Sequence, residues 1–234
     1  MKALALTLTA AMAMICSGAI ADDVKPVDAP KAPAAAVADG PNISPDWTVF
    51  QVGFFPGSPN GTVNSTVRGL KLGLPMVSGN NYVAGLEPAF IYSGTNYVDG
   101  LQGSMVGVAI ARKVNGIQGA WFGYVQANEV NGMQCAIGGC VVKNLSGWQP
   151  SCVSVTTEKS DGCQIAFTNI ATKEFNGFQL SAVNVANQEL CGFQLGAVNY
   201  AKHNGFQFGV INIISDSWLP FCPLMNISFK DAKK

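Results

Sequence analysis

Charge is what this sequence has least of. Only 12% of its 234 residues are charged, 14 Lys and Arg balance 14 Asp and Glu, and there is a single histidine. A nucleic-acid partner would require a basic stripe to neutralise phosphates, and no such stripe is present. One imidazole cannot supply a clustered metal centre. His203, in the turn "KHN", has no acid or nucleophile fixed beside it by spacing, so a solvated turn residue is expected there. A phosphate-binding glycine loop, a nucleophile elbow and a metal-spaced histidine pattern are all missing. These absences lead to an expectation of a non-enzymatic chain with no cofactor, no metal and no nucleic-acid partner.

Long apolar runs are scarce as well. "ALALTLTAAMAMIC", near the N-terminus, is short for a bilayer span; with Lys2 before it and "AIA" at 19–21 behind it, it has the form of a signal peptide over 1–21. Cys16 invites a lipoprotein reading, but Ile15 stands where a small residue would be needed. Residues 22–46 are rich in Pro and Ala without apolar periodicity, as in an extended linker. Export is therefore expected, to the periplasm or to the outer membrane and cell surface.

What the chain does have is glycine, 26 of them, and a repeat. Gly-x-Gln recurs at Gly100–Gln102, Gly116–Gln118, Gly132–Gln134, Gly147–Gln149, Gly162–Gln164, Gly177–Gln179, Gly192–Gln194 and Gly205–Gln207, after weaker copies at Gly69 and Gly85. Successive glycines are 15 or 16 residues apart until the last interval, Gly192 to Gly205, which is 13. Such a period marks a repeat architecture. With each glycine as position 0, position 1 is apolar in every copy and position 4 is always small, from Gly73 and Ala89 to Gly196 and Gly209. The alternation is that of a strand rather than a helix.

Position 7 holds Gly107, Gly123 and Gly139, then Asn169, Asn184, Asn199 and Asn212. Gly and Asn both enter left-handed backbone cheaply, so a corner is expected there and a second one at the glycine of position 0. Length changes are expected after position 9, in a polar outer turn.

Two all-β architectures fit. In a β-solenoid of about ten coils, covering 69–218, equivalent residues stack about 4.8 Å apart and Gln and Asn bond amide to amide along the axis. An antiparallel outer-membrane β-barrel pore is the alternative, since "NG" and "DG" between apolar runs also begin hairpins. Barrel strands alternate in direction, which predicts a difference between odd and even copies; the copies are alike, and this favours the solenoid. Residues 47–68 are expected to be a leading strand and cap, and 219–234 a closing cap and tail.

The G-x-Q-x-G-x-x-N copies, preceded by "VFQVGFFPGSPNGTV" and closed by "LPFCPLMNISF", resemble bacterial exported surface-repeat proteins of spirochaetes and several Gram-negative groups. The resemblance covers roughly 47–229 and departs at Pro88, Pro150, Cys163 and the short copy from Gly192. It implies location and architecture; that family carries no assigned activity.

Six cysteines follow the leader: Cys135, Cys140, Cys152, Cys163, Cys191 and Cys222. An even number in an exported chain favours one or more disulfides, while small apolar thiols packed in the columns are the other reading. Asp99 and Asp161 precede repeat glycines four coils apart, too far for paired acid and base work, and Glu129, Glu158, Glu174 and Glu189 fall in the outer turn. Trp121 and Trp148 are expected in core columns, and Trp47, Trp218, Phe221 and Phe229 as covers for the open ends. The function implied is structural or adhesive, toward an unidentified surface or envelope partner, with membrane association left open. Processing after Ala21 should leave Asp22 as the new N-terminus, read directly as the mature mass; a mass carrying acyl chains on Cys16 would overturn it.

Overall fold

The computed structural model describes residues 47–58 and 64–229; the expected signal peptide and linker lie outside the described residues. Strands follow one another as β1 (Trp47–Gly53), β2 (Thr66–Gly73), β3 (Met76–Ala89), β4 (Tyr92–Ala171), β5 (Glu174–Leu180), β6 (Val183–Leu195), β7 (Val198–His203), β8 (Gly205–Ile214) and β9 (Phe221–Ser228). No helix forms among the described residues. β4 alone runs for 80 residues, because one extended chain winds through successive coils without leaving the ladder.

Neighbouring strands pair in parallel and in register, Gly69 on Gly85, Gly85 on Gly100, Gly162 on Gly177 and Gly177 on Gly192. This is a β-solenoid of about 11 turns. Parallel order between sequence neighbours overturns the barrel, whose adjacent strands would have to be antiparallel. We number the coils 1 to 11, coil 1 from β1 and coils 2 to 11 from Gly69, Gly85, Gly100, Gly116, Gly132, Gly147, Gly162, Gly177, Gly192 and Gly205. β1 is thus a full member of the stack, with Phe50 on Leu70 and Gln51 on Lys71, one coil earlier than the sequence pattern announces.

The corner at position 0 is glycine for two reasons, both visible at Gly177. Its φ is +135°, a conformation that strains any side chain, and a methyl group there would collide with the Gly162 carbonyl oxygen of the coil before. The second corner is as the pattern suggests at Gly107, whose φ is +130°, but not at the asparagines. Asn169, Asn184, Asn199 and Asn212 are fully buried, point inward and are not among the residues with positive φ. The reason is a change in corner length. From the column-2 residue to the side chain that bonds its backbone carbonyl is six residues at Glu87–Ser93 and Gln134–Cys140, but five at Gln149–Ser154 and Gln164–Asn169. Aligning by sequence alone therefore places Gly107 and Gly123 over asparagines with which they do not stack. Those two glycines stack with Gly138, not Gly139.

Length is thus absorbed at both corners. The 13-residue copy behaves as expected: Ala186 pairs with Ala201 but Glu189 with His203, so its missing residues come out of the outer turn. β9 closes the C-terminal end by pairing antiparallel to β8, Phe206 with Ile227 and Phe208 with Met225. Of the expected end covers, Phe221 opens that strand and Trp47 sits in β1 under the Arg68 guanidinium, 5.6 Å from the ring centre. Trp218 and Phe229, more than four-fifths exposed, cover nothing.

The interior is narrow and divided. Val98, Val114, Val130 and Leu145 pack with Ala111, Ala127 and Val142 toward the outer turn, a role taken in the last coils by Phe175, Leu190, Ala186 and Ala201. A second apolar group, Ala109, Ala120, Val125, Ala136 and Cys140, lies toward the other corner. Between them runs the glutamine column. Gly177→Val should cost at least about 1–3 kcal/mol of backbone strain, whereas Lys173→Ala, whose ammonium stands 3.9 Å from Glu158 on an exposed edge, should cost about 0–1 kcal/mol. Thermal melts of both variants test this, and equal losses would mean that the glycine corner is not what holds the coils in register.

Candidate functional site

The site is built on an inversion: amides fill the interior and large apolar side chains face out. Gln118, Gln134, Gln149, Gln164, Gln179, Gln194 and Gln207 are fully buried, and Gln102 nearly so. A lone buried amide costs free energy, but one stacked on its own copy finds a donor and an acceptor at the coil spacing. Each Nε2 donates to the Oε1 of the coil before: Gln118 to Gln102 at 2.9 Å, Gln134 to Gln118 at 3.0 Å, Gln149 to Gln134 at 2.8 Å. The chain continues through Gln164, Gln179 and Gln194 at 2.7 Å each and ends with Gln207 at 2.8 Å.

Direction is set at the head of the column, where Glu87 replaces Gln. A carboxylate only accepts, so Gln102 must turn its amide N–H toward Glu87 Oε1, at 3.2 Å, and every later glutamine inherits that sense. Ser93 Oγ donates to the same oxygen at 2.6 Å. One coil earlier Lys71, 1% exposed, donates to the Ser78 carbonyl and to Thr95 Oγ1. Burial lowers its ammonium pKa, and the Glu87 charge pulls the other way. The asparagines form a second ladder of opposite sense, Asn169 Nδ2 donating to Asn184 Oδ1 at 3.0 Å, Asn184 to Asn199 at 2.9 Å and Asn199 to Asn212 at 2.8 Å. A third, exposed ladder at position −1 joins Asn131 to Asn115 and Asn115 to Asp99.

Because position 2 points in, positions 1, 3 and 5 point out. Position 1 carries Leu86, Leu101 and Trp148, and position 5 carries Phe90, Met105, Trp121, Ile137 and Phe167, all exposed. Trp121 and Phe167 are 70% and 72% accessible, which corrects the expectation that Trp121 and Trp148 lie in the core. Phe178, Phe193 and Phe206 stack along position 1, with centroids 5.4 and 5.0 Å apart. No outward side chain between positions 1 and 5 of any coil is charged; the only charged residues in that arm, Lys71 and Glu87, point inward. β9 extends the face with exposed Met225 and Ile227. Eleven coils of this surface exceed the few hundred Å² usual for an exposed apolar patch.

Charge collects on the opposite edge. Lys113 pairs with Glu129 at 3.0 Å, Lys159 with Asp161 at 3.1 Å, and His203 Nδ1 with Asp216 at 2.8 Å. Asp99 accepts from Tyr82 and Asn115, and Asp161 from Asn176. All six described cysteines are unbonded. Cys135, Cys152 and Cys163 lie at positions 3, 5 and 1 of the apolar face, Cys191 on the polar column, Cys222 in β9, and Cys140 inside, where burial pushes its thiol pKa up to about 12. Among the described residues no group of three metal-ligating side chains comes together. A scan against protein-family models found no match, and searches of curated proteins and of solved structures found none either.

The Lys71–Glu87 head of the ladder is testable by a double-mutant cycle. Removing either charge alone leaves the other buried without its counterpart, at a cost of about 3 kcal/mol. Lys71→Met with Glu87→Gln, which extends the amide column by one, should return to within about 1 kcal/mol of the parent. The lowered lysine pKa means that the unfolded chain binds more protons, so the parent should gain stability as pH rises from that pKa toward about 10.4, a gain absent in the double variant. Urea melts across this pH range measure both.

Proposed function

We propose that this protein is an exported, non-enzymatic structural or adhesive rod of the bacterial cell envelope, working through its apolar face. The observation that carries the reading is that face: uncharged, continuous over all the coils, and fixed to a backbone whose coils internal amide ladders join in register. Eleven coils make a rod of about 50 Å. A catalytic site needs a recess with converging titratable groups, whereas this surface offers extended apolar contact. The N-terminal leader pattern and the resemblance to exported surface-repeat proteins support the envelope as its place of work. With the barrel overturned, a pore is not part of the proposal.

The test is fractionation of Gram-negative cells expressing the full chain beside a Trp121→Glu/Phe167→Glu variant. The parent should sediment with envelope material, and the variant should appear in the soluble periplasmic fraction with its β circular dichroism and cooperative melt intact. A folded variant that stays in the envelope, or a parent that never leaves the cytoplasm, would overturn the reading.

A further inference from the structure

We propose that the occupant of the apolar face is a second copy of this chain, packed sheet on sheet with the two rods antiparallel. The inference rests on the reading that this face is the working surface, and it names the partner: the paired rod is what the envelope retains, and a variant that cannot pair is released. The face measures about 50 Å by 15 Å, roughly 750 Å², close to the 800 Å² or so that each partner contributes to a stable interface. Its positions 1 and 3 lie in one parallel strand ladder, the surface that sheets facing each other about 10 Å apart present. It bears no charge, and the charged edge mixes both signs, so the rod presents no basic cluster to an anionic lipid surface.

The pattern of sizes in the middle coils of the face is self-complementary in one orientation. Centred on coil 6, where the eleven coils divide equally, a two-fold axis lying in the interface and perpendicular to the rods sets coil n against coil 12−n and leaves β9 overhanging at each end. In the middle of the rod, position 3 is bare at Gly103 of coil 4 and Gly119 of coil 5 and filled by Pro150 of coil 7 and Ile165 of coil 8; toward the ends it is filled in both halves, by Val52, Leu72 and Pro88 and by Leu180, Leu195 and Phe208. The antiparallel arrangement puts Ile165 over Gly103 and Pro150 over Gly119. At position 5 it puts Trp121 of coil 5, the bulkiest exposed side chain of that column, over Cys152 of coil 7. A parallel pair would instead face each glycine with itself and leave the trough empty.

The axis then passes coil 6, whose position 3 is Cys135. The two Cys135 thiols face each other across it, while Cys163 of coil 8 lies four coils, about 19 Å, from its symmetry mate. Sedimentation velocity of the full chain should show a dimer. A variant keeping only Cys135, the other cysteines changed to Ser, should be joined into a covalent dimer by a short bismaleimide; one keeping only Cys163 should not. Trp121→Glu should weaken dimerisation at least about 30-fold with its β signal unchanged. A monomeric parent overturns the proposal, as does a folded Trp121→Glu variant that dimerises as tightly as the parent. Linking through Cys163 as fast as through Cys135 overturns the antiparallel packing. If the parent is monomeric yet the envelope fraction still loses the face variant, the face has another occupant and the envelope reading stands. A monomer that binds vesicles of zwitterionic lipid identifies that occupant as a bilayer. A dimer with no envelope retention does the reverse.

Discussion

The structure depends on amides that have nowhere to go but onto one another. Each buried glutamine brings two donors and an acceptor into a space from which water is excluded, and only the next coil's glutamine, about 4.8 Å away, can satisfy them along the axis. Register follows. A coil displaced by one residue would turn its glutamine outward and leave the amides above and below it unpaired, so the ladder enforces the stacking that makes it. Glu87 gives the column its sense, and the asparagine column runs the other way. Aligned amide dipoles add as they do in a helix; two opposed columns offset each other over the coils they share. Each ladder ends on an acceptor without a partner, Asn169 Oδ1 at the first coil of the asparagine column and Gln207 Oε1 at the last coil of the other.

Giving the middle of a narrow interior to glutamine displaces apolar side chains to its two flanks and to the outside. Val and Leu, then Phe, fill the flank by the outer turn, and the rest of the apolar complement stands on the outer surface of the first arm. The glycine corners and the column of small residues belong to the same constraint. They let successive backbones approach closely enough for the amides to meet, and at Gly196 an added methyl would run into the Ser181 carbonyl oxygen and the Asn184 amide. An exposed sheet face of this composition has water as its least favourable neighbour. Interior ladder and exterior face are thus two consequences of one choice at position 2.

Several features were legible in the residues. The period, the strand character, the glycine corner and the stacking of Gln102, Gln118, Gln134, Gln179, Gln194 and Gln207 follow from spacing, because a solenoid converts sequence distance into axial distance with little room for error. The Gly100, Gly116, Gly132, Gly177, Gly192 and Gly205 column holds as expected, except that Gly192 keeps its place by close approach to Gly177 without a positive φ. Asn184, Asn199 and Asn212 ladder as expected but turn no corner. A difference of one or two residues in corner length is invisible when copies are aligned on their glycines alone: Ala109 and Val125 stand seven residues after Gln102 and Gln118, Asn169 five after Gln164. The membership of β1 was hidden too, since Val49 stands where the later coils have glycine.

By itself the sequence determined which residues share a column and that equivalent residues stack, since period and alternation are properties of the chain. It did not determine which side of the alternation faces in. A period of two is unchanged when inside and outside are exchanged, and the general preference of tryptophan and phenylalanine for the interior pointed the wrong way. Only the folded coil decided it: the glutamines of position 2 face in, where each bonds to its own copy one coil away, and the aromatic rings of position 1 stand outside, stacked on one another.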